Sequence, residues 1–402
     1  MKSEALRALS VVGLLLGIAS AAAQSANGDG SHRSGYVGNS ACVSCHRTKS
    51  LSYVATGHHL TSQLPTEKSV HGSFAKGANT LIIVSPENKF GLPGLWFTME
   101  ARDGKFVETA FSGYGSTIEK QSADIDIVTG SGKRGQTYLS WRGDSLFELP
   151  VSFWTSGARW VNSPGYADGT ADFSRPVNPG CMECHSTYLE PLEPGPNANR
   201  YRRDTFVPGI SCETCHGPGA LHVASESAKK SRTTALEDSG ILNPAHFSRD
   251  RQVDLCALCH NGIKREPLAP AFSYLPGRPL SDYFKPLNVP AVEHPDVHGN
   301  QVGLLQRSKC YLSSPAMSCS TCHDVHAREK SAASYSQKCM SCHRWESCGL
   351  AKTIGHKIAA DCIDCHMPKE ATTVIVSETA GKEMHATMRN HWIKVYPQAR
   401  RP

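Results

Sequence analysis

The chain has 402 residues, of which 39% are hydrophobic and 19% charged, and its formal net charge is +6. This balance predicts a folded protein rather than a disordered one, and the modest positive charge, without a run of basic residues, argues against nucleic-acid binding. The unusual feature is the combination of 16 Cys with 19 His. These cysteines are too few for a disulfide mini-protein and too many for an ordinary cytosolic enzyme, so we expect them to hold a bound group.

Residues 1–23 are predicted to form a secretory signal peptide. Lys2 and Arg7 give a positive start, residues 8–20 are apolar, and residues 21–23 read as an A-x-A cleavage site. The alternative is an N-terminal helix of the mature protein. Because the apolar run is too short for a bilayer, we expect no membrane span and an exported protein in the periplasm or a similar compartment.

The next feature along the chain is the motif Cys-x-x-Cys-His, which occurs seven times. Composition alone would give about 0.03 such motifs by chance. The first motif stands alone, and the other six follow closely between residues 181 and 366. The first to seventh motifs are Cys42/Cys45/His46, Cys181/Cys184/His185, Cys212/Cys215/His216, Cys256/Cys259/His260, Cys319/Cys322/His323, Cys339/Cys342/His343 and Cys362/Cys365/His366.

This spacing is typical of covalent attachment of haem c. The two thiols form thioethers with the haem vinyl groups, and the adjacent His binds the iron as proximal ligand. Zinc sites also use Cys-x-x-Cys pairs but do not require a His after the second Cys, and redox dithiols come singly. We therefore predict seven covalently attached haems c. Their propionates would pair with much of the Lys and Arg, so the positive charge does not indicate an acidic partner.

The gap between the first two motifs contains short β-branched and aromatic runs separated by turn signals. We predict a small antiparallel sheet of hairpins over residues 78–153. The division that follows is a signal peptide (1–23), an N-terminal haem segment (24–77), a β-rich insertion (78–153) and a hexahaem cytochrome domain (154–402). The predicted strands lie at residues 81–84, 95–99, 106–111, 125–128, 137–141 and 146–149.

Twelve histidines lie outside the motifs, enough to give every haem a second axial His. His326 follows His323 by three residues, a span of at most ~10 Å, so it cannot easily reach the opposite face of its own haem. His222 follows His216 after a Gly-Pro-Gly turn, and the same argument applies. We expect both to ligate neighbouring haems.

Several segments together resemble the cytochrome c-552/c-554 type of exported multihaem cytochromes. The wider group is similar to hydroxylamine oxidoreductase and to octahaem and pentahaem reductases of nitrogen or sulfur oxyanions. The resemblance spans nearly all of the mature chain. Its motifs are Tyr36-Val37-Gly38 before Cys42, Thr56-Gly57-His58, Trp154 to Trp160 leading to Cys181-Met182-Glu183-Cys184-His185, Gly209 to Gly219 with His222, Cys319 to His326, and Cys362 to Pro368.

The resemblance implies a multihaem cytochrome c fold, in which short α-helices and irregular loops pack around haems, here with a small antiparallel β insertion. It also implies distal iron ligands, with His59 and His294 as alternatives to His58 and His298. His356 and His385 are less favoured, and His32, His71 and His246 are interpreted as surface residues. The implied distal ligands are His58, His222, His298, His326 and His391.

Three functions remain open from the sequence. The first is electron transfer through mostly bis-His haems of low potential, with other cytochromes or a quinol-linked reductase as redox partners. The second is a multihaem oxidoreductase acting on a small nitrogen or sulfur compound at an open haem, although no catalytic residue stands out. The third is a docking module built on the β insertion. Electron transfer is preferred, and the oligomeric state is left open.

Two cysteines, Cys310 and Cys348, belong to no motif. In an oxidising compartment they are candidates for a disulfide. The alternative is two separate buried thiols.

Overall fold

The computed structural model describes residues 34–85, 87, 93–230, 240–262, 265–286 and 296–397. The predicted signal peptide, His32 and His294 lie outside these residues. In the part of the chain that is described, no helix is long and apolar enough to cross a membrane.

The helices are short, and most of them carry or adjoin a haem motif. In the first, fifth and sixth motifs the His amide donates to the carbonyl of the first Cys, at 2.8 to 3.0 Å, which closes one helical turn around the motif. The fifth motif begins with the 3-10 turn Cys319–Thr321. The α-helices are α1 (Asn39–Val43), α2 (Arg47–Tyr53), α3 (Pro179–His185), α4 (Cys212–His216), α5 (Ala220–Lys230), α6 (Arg249–His260), α7 (Gln301–Leu305), α8 (Lys309–Ser313), α9 (Ala332–Cys339), α10 (Ala351–Ile354) and α11 (Cys362–His366).

Antiparallel strands occupy the gap between the first two motifs and extend beyond it. They form a four-stranded sheet in the order β2-β3-β4-β5, a second sheet in the order β1-β6-β7-β8-β10 with β9 beside β8, and two hairpins. The strands are β1 (Ser62–Gln63), β2 (Thr80–Val84), β3 (Gly94–Arg102), β4 (Lys105–Gly113), β5 (Glu119–Asp124), β6 (Ile127–Thr129), β7 (Gly135–Arg142), β8 (Ser145–Trp154), β9 (Arg159–Asn162), β10 (Arg175–Pro176), β11 (Ser186–Pro191), β12 (Tyr201–Pro208), β13 (Lys369–Thr379) and β14 (Lys382–Arg389).

The two larger sheets pack face to face as a β-sandwich. Phe97 and Met99 of β3 lie in one apolar cluster with Tyr138 of β7 and Leu149 of β8, and all four are fully buried. Trp160 closes this core and donates its indole N–H to the Ala78 carbonyl at 3.1 Å. The alternating burial of the strands produces the core, because successive residues point to opposite faces.

The other face of the second sheet packs against the motif region, which comprises residues 34–61 and the described residues from 178 to 397. Ile127, Leu139 and Leu146 share a second apolar cluster with Met182 of the second motif and Tyr201 of β12. Since neighbouring residues Tyr138 and Leu139 enter different clusters, β7 joins the sandwich to the motif region. The sheet therefore gives the second motif a rigid support.

The strand prediction differs from the structure in several respects. The sequence suggested one small sheet, but the strands form two, and the second sheet also takes in β1, β9 and β10 from outside residues 78–153. The predicted run 125–128 begins two residues before β6, and β5 was not predicted because most of its side chains are exposed. The hairpins β11–β12 and β13–β14, which follow the second and seventh motifs, were not predicted either, since burial along their strands does not alternate regularly.

Candidate haem-binding site

One large cavity lies among the motif helices. Its volume is about 3230 Å³, well above the ~300–1,000 Å³ typical of a site for one small ligand. Cysteines and histidines of the first six motifs line it, and the seventh motif contributes the neighbours Ile363 and Met367. All five predicted distal histidines line the same cavity, namely His58, His222, His298, His326 and His391.

Four motif histidines face a second imidazole across this cavity. The ring centres are 6.0 to 6.2 Å apart in every pair. Three pairs are nearly parallel, with interplanar angles of 21 to 27°, and the fourth is edge-on at 80°. The pairs are His46–His222, His216–His326, His323–His391 and the edge-on pair His260–His58.

This spacing fits a metal ion between the two rings. A metal–imidazole bond is about 2.0–2.1 Å long, and the ring centre lies about 1.1 Å beyond the nitrogen, so two axial imidazoles have centres about 6 Å apart. Direct stacking of rings would also allow much shorter distances, from about 4.5 Å. The four pairs therefore fit bis-His ligation of one iron each.

The second motif has a looser relation to its predicted ligand. His298 lies close enough to His185 for the two to interact electrostatically, and both line the cavity. The Nδ1 atoms of His298 and His222 are buried and have no hydrogen-bond partner among the described residues. Buried polar atoms normally have a partner, so these unpaired ring nitrogens beside the cavity are consistent with a bound group that contacts the two imidazoles.

Burial lowers the pKa of seven of the ligand candidates, which favours the neutral ring that metal binding requires. Burial lowers the pKa of His260 to about 4, helped by the neighbouring His58, His391, His323 and His298. Burial is also the main cause of the lowered pKa of the others, which is about 4 for His391. The pKa is lowered as well for His58, His185, His298, His323 and His326.

Backbone carbonyls orient several of these rings. The Nδ1 atom of His216 lies 2.8 Å from the Leu242 carbonyl oxygen, and that of His366 lies 2.9 Å from the Lys394 carbonyl oxygen. A ring whose Nδ1–H donates to a carbonyl presents its Nε2 as the ligand. His366 of the seventh motif is therefore oriented to bind iron through Nε2, although its side chain does not line the large cavity.

The attachment cysteines of different motifs contact one another. Cysteine side chains lie close together between the first motif and the third, the second and the fourth, the fourth and the fifth, and the sixth and the seventh. The third motif also neighbours the fourth, through Cys215 and Cys256, and the fifth neighbours the sixth, through Cys322 and Cys339. The neighbouring pairs are Cys42–Cys212, Cys184–Cys259, Cys256–Cys319 and Cys339–Cys362.

The charge of the cavity wall fits an anionic occupant. Ten Lys or Arg residues line it, against four Asp or Glu residues. This excess agrees with the expectation that basic side chains pair with haem propionates. The residues that line the cavity therefore fit haem in their sulfur and imidazole donors and in their charge.

His58 is held opposite His260 by the strand end that precedes the third motif. The Ile210 amide donates to the His58 carbonyl at 3.0 Å, and the Gly209 amide donates to Ser62 Oγ at 2.9 Å. A Cβ on Gly209 would lie 2.0 Å from the His59 carbonyl oxygen, so only glycine permits this approach. The sequence resemblance marked this glycine but not its role.

Two carboxylates inside haem motifs act as anchors, which the sequence did not reveal. Glu213 of the third motif accepts hydrogen bonds from the amides of Val37, Gly38 and Gly219, at 2.8 to 3.0 Å. Glu183 of the second motif accepts from the Phe272 amide at 2.8 Å. These contacts connect distant loops to the motif helices.

The remaining histidines are used differently. His385 pairs with Glu383 at 2.8 Å, and His356 packs edge-on against Trp345; neither lines the large cavity. His59 packs edge-on against Tyr53. His246 is exposed, as expected for a surface residue. His71, also interpreted as a surface residue, is likewise exposed and lies at the edge of the cavity.

Cys310 and Cys348 are free thiols in the structure, so the suggested disulfide is not formed. Cys310 lies near Cys322 and Cys339, whereas Cys348 lies near Cys362 and Cys365 of the seventh motif. The two residues therefore sit beside different motifs. As for the zinc interpretation, the described residues contain no group of three or more His, Cys, Asp or Glu side chains suited to one metal ion.

Comparison with known proteins gives one match. Residues 161–217, which contain the second and third motifs, match the family model "Cytochrome c554 and c-prime". Searches of curated proteins and of solved structures find no match.

Proposed function

We propose that this c-type cytochrome is an exported heptahaem protein that carries electrons through adjacent, mostly bis-His haem sites. Haem c, when bound, supplies the one-electron chemistry of its iron. The observation that carries the proposal is the set of four imidazole pairs with ring centres 6.0 to 6.2 Å apart. Each pair joins one motif His to one of the predicted distal ligands.

The paired imidazoles would hold the iron from both sides. Two His ligands leave no axial position for a substrate, and the site lacks the Met ligand that raises the potential. His298 would serve the second motif in the same way. The thioether cysteines and the carbonyl-oriented rings would keep each site rigid, which favours repeated electron exchange over substrate conversion.

The contacts between thiols suggest the order of the sites. They give a path through the first, third, fourth, fifth, sixth and seventh motifs, with the second motif as a branch at the fourth. His260 of the fourth motif is also surrounded by four other histidines. We infer that electrons pass through the fourth site whichever end they enter from.

The ends of this path would face redox partner proteins, such as other cytochromes or a quinol-linked reductase. The signal peptide that the sequence predicts supports export to the periplasm or a similar compartment, where haem c is attached. The path has ends at the first, second and seventh motifs, and the second is covered by the β-sandwich. The first and seventh motifs are therefore the favoured points of exchange.

Electron paramagnetic resonance of the oxidised holoprotein tests this function. We expect low-spin signals from the five haems with an assigned distal His, and we expect His222→Ala to convert one of them to high spin because it loses its distal ligand. His385→Ala is the matched control, since His385 pairs with Glu383 outside the cavity. A five-coordinate high-spin haem in the wild type that binds a small nitrogen or sulfur compound would favour the oxidoreductase alternative.

A further inference from the structure

The loop between β6 and β7 enters the haem cavity from the β-sandwich. Its sequence is Gly-Ser-Gly-Lys-Arg over residues 130–134, and the last four of these residues line the cavity. Gly130 and Gly132 have positive φ values of 89° and 74°, which glycine adopts without strain. The sandwich thus extends a short basic loop, residues 130–134, among the motif segments.

The basic loop is fastened at several points. The Gly130 amide donates to the Thr61 carbonyl at 2.7 Å, next to the segment that carries His58. The Thr155 hydroxyl donates to the Gly132 carbonyl at 2.6 Å, from within the sandwich. Lys133 forms an ion pair with Glu329, close after the fifth motif. These contacts fix the loop relative to both regions.

Arg134 differs from Lys133 in its partners. Its guanidinium donates to the Thr387 carbonyl oxygen, which uses one of its five N–H donors. The base of its loop borders the second-motif site, because Thr61, whose carbonyl accepts from Gly130, also has its hydroxyl 3.2 Å from Nδ1 of His185. A guanidinium that lines a cavity next to Lys133 is stabilised by an anion, and its planar fork matches a carboxylate.

We propose that Arg134 is a carboxylate-binding residue that pairs with a propionate of the haem held by His185 and His298. Its positive charge favours the reduced state of that haem and raises its reduction potential, since an added electron is attracted to a nearby cation. The β-sandwich therefore sets the potential of the branch site through the basic loop. This inference rests on the proposed haem loading.

Potentiometric titration of the purified holoprotein tests the inference. In Arg134→Gln we expect part of the haem absorbance to titrate at a more negative midpoint, while Arg134→Lys stays close to the wild type. Arg102→Gln, which removes an exposed Arg that pairs with Glu100 elsewhere on the sandwich, is the control and leaves all midpoints unchanged. An Arg134→Gln protein that titrates as the wild type does, with the same haem content, overturns the proposal.

Two further measurements separate the alternatives. Added succinate has no effect on the midpoints if the carboxylate is a haem propionate, whereas a dependence on succinate would show that Arg134 binds a soluble carboxylate and would overturn the assignment. A pyridine haemochrome assay on the same samples gives the haem number. A low number in the wild type contradicts the proposed function, while an unchanged titration at full loading contradicts only the role of Arg134.

Discussion

The β-sandwich and the motif region are stabilised in different ways. The sandwich has a continuous apolar core in which Phe97, Met99 and Leu149 are fully buried between two sheets. In the motif region, by contrast, α1 and α2 bury no residue, and the centre is a cavity lined by Cys, His and basic side chains. The sandwich core therefore consists of apolar side chains alone, whereas the motif region combines smaller apolar clusters, such as that of Val253, Leu258 and Tyr311, with a central space that fits a bound group.

Given the proposed haem loading, this difference predicts that folding and haem attachment are coupled in only part of the molecule. Helices of four to eight residues are too short to be stable alone. A group that binds only the folded state adds its binding free energy to the stability of that state. We expect the sandwich to fold by apolar burial and the motif region to depend on haem.

The largest expected effect is the loss of the motif region when haem is not attached. Expression without cytochrome c maturation should leave residues 34–61 and residues around 178–397 more open to protease, because the haem that would fill the cavity between them is missing. The sandwich, from β1 to β10, should remain as a protected fragment. Limited proteolysis with mass spectrometry checks this, and the holoprotein is the control. Equal protection of both regions without haem would contradict the comparison.

A substitution in the sandwich core tests whether the sandwich can be destabilised without a change at the haem sites. Phe97→Ala should lower the free energy of unfolding of the sandwich by about 3–5 kcal/mol, because it leaves a cavity in a packed core. The haem spectrum should not change, since Phe97 lies in the cluster remote from the motifs. Tyr114→Ala removes an exposed aromatic and should have little effect. A changed spectrum in Phe97→Ala would show that the regions are not separable.

Gly209 lies where the two regions meet, so its substitution should change both the haem spin state and the free energy of unfolding. Gly209→Ala places Cβ 2.0 Å from the His59 carbonyl oxygen, so the His58 segment must shift away from His260. We expect a new high-spin signal and a stability loss above the ~1–2 kcal/mol that a positive φ alone costs an alanine. Gly169→Ala, with a φ of 80° and no atom near its Cβ, isolates that backbone cost. Equal effects of both substitutions would exclude a role in positioning His58.

The smallest effect concerns the pH dependence of the sandwich. Burial raises the pKa of Glu148 from 4.5 to about 7, although Arg175 opposes the shift. Between these pH values the folded protein keeps a proton that the unfolded chain has lost. Stability should therefore fall by about 1–3 kcal/mol as the pH rises from about 4.5 to 7, and then level off. Chemical unfolding of the wild type and of Glu148→Gln at pH 5 and pH 8 measures this. An equal change in the free energy of unfolding of the two proteins between these pH values would contradict the prediction.

The sequence predicts local chemistry better than long-range partners. The Cys-x-x-Cys-His spacing is local, so seven attachment sites could be predicted directly. That His58 lies opposite His260 could not, because 202 positions separate them and the contact depends on Gly209. Likewise most sandwich strands were predicted from β-branched and aromatic runs between turn signals. The mostly exposed β5 was not, and the division into two sheets depends on packing between residues far apart in the chain.

Exposed strands and the partners of single cysteines were still harder to predict from the sequence. The hairpin β13–β14 has a broken register and few buried residues, so its sequence shows little periodicity. The disulfide suggestion rested on the compartment alone, and the two thiols lie beside different motifs. The anchoring roles of Glu183 and Glu213 arise from contacts with loops far away in the chain, which no local pattern encodes.

The number of haems per chain most directly tests whether each of the seven Cys-x-x-Cys-His motifs attaches a haem c. A pyridine haemochrome assay combined with the intact mass of the purified protein should give seven covalently bound haems c. A value below six would contradict the account of the seven motifs, and of the path through them, whatever the spectra of the remaining haems.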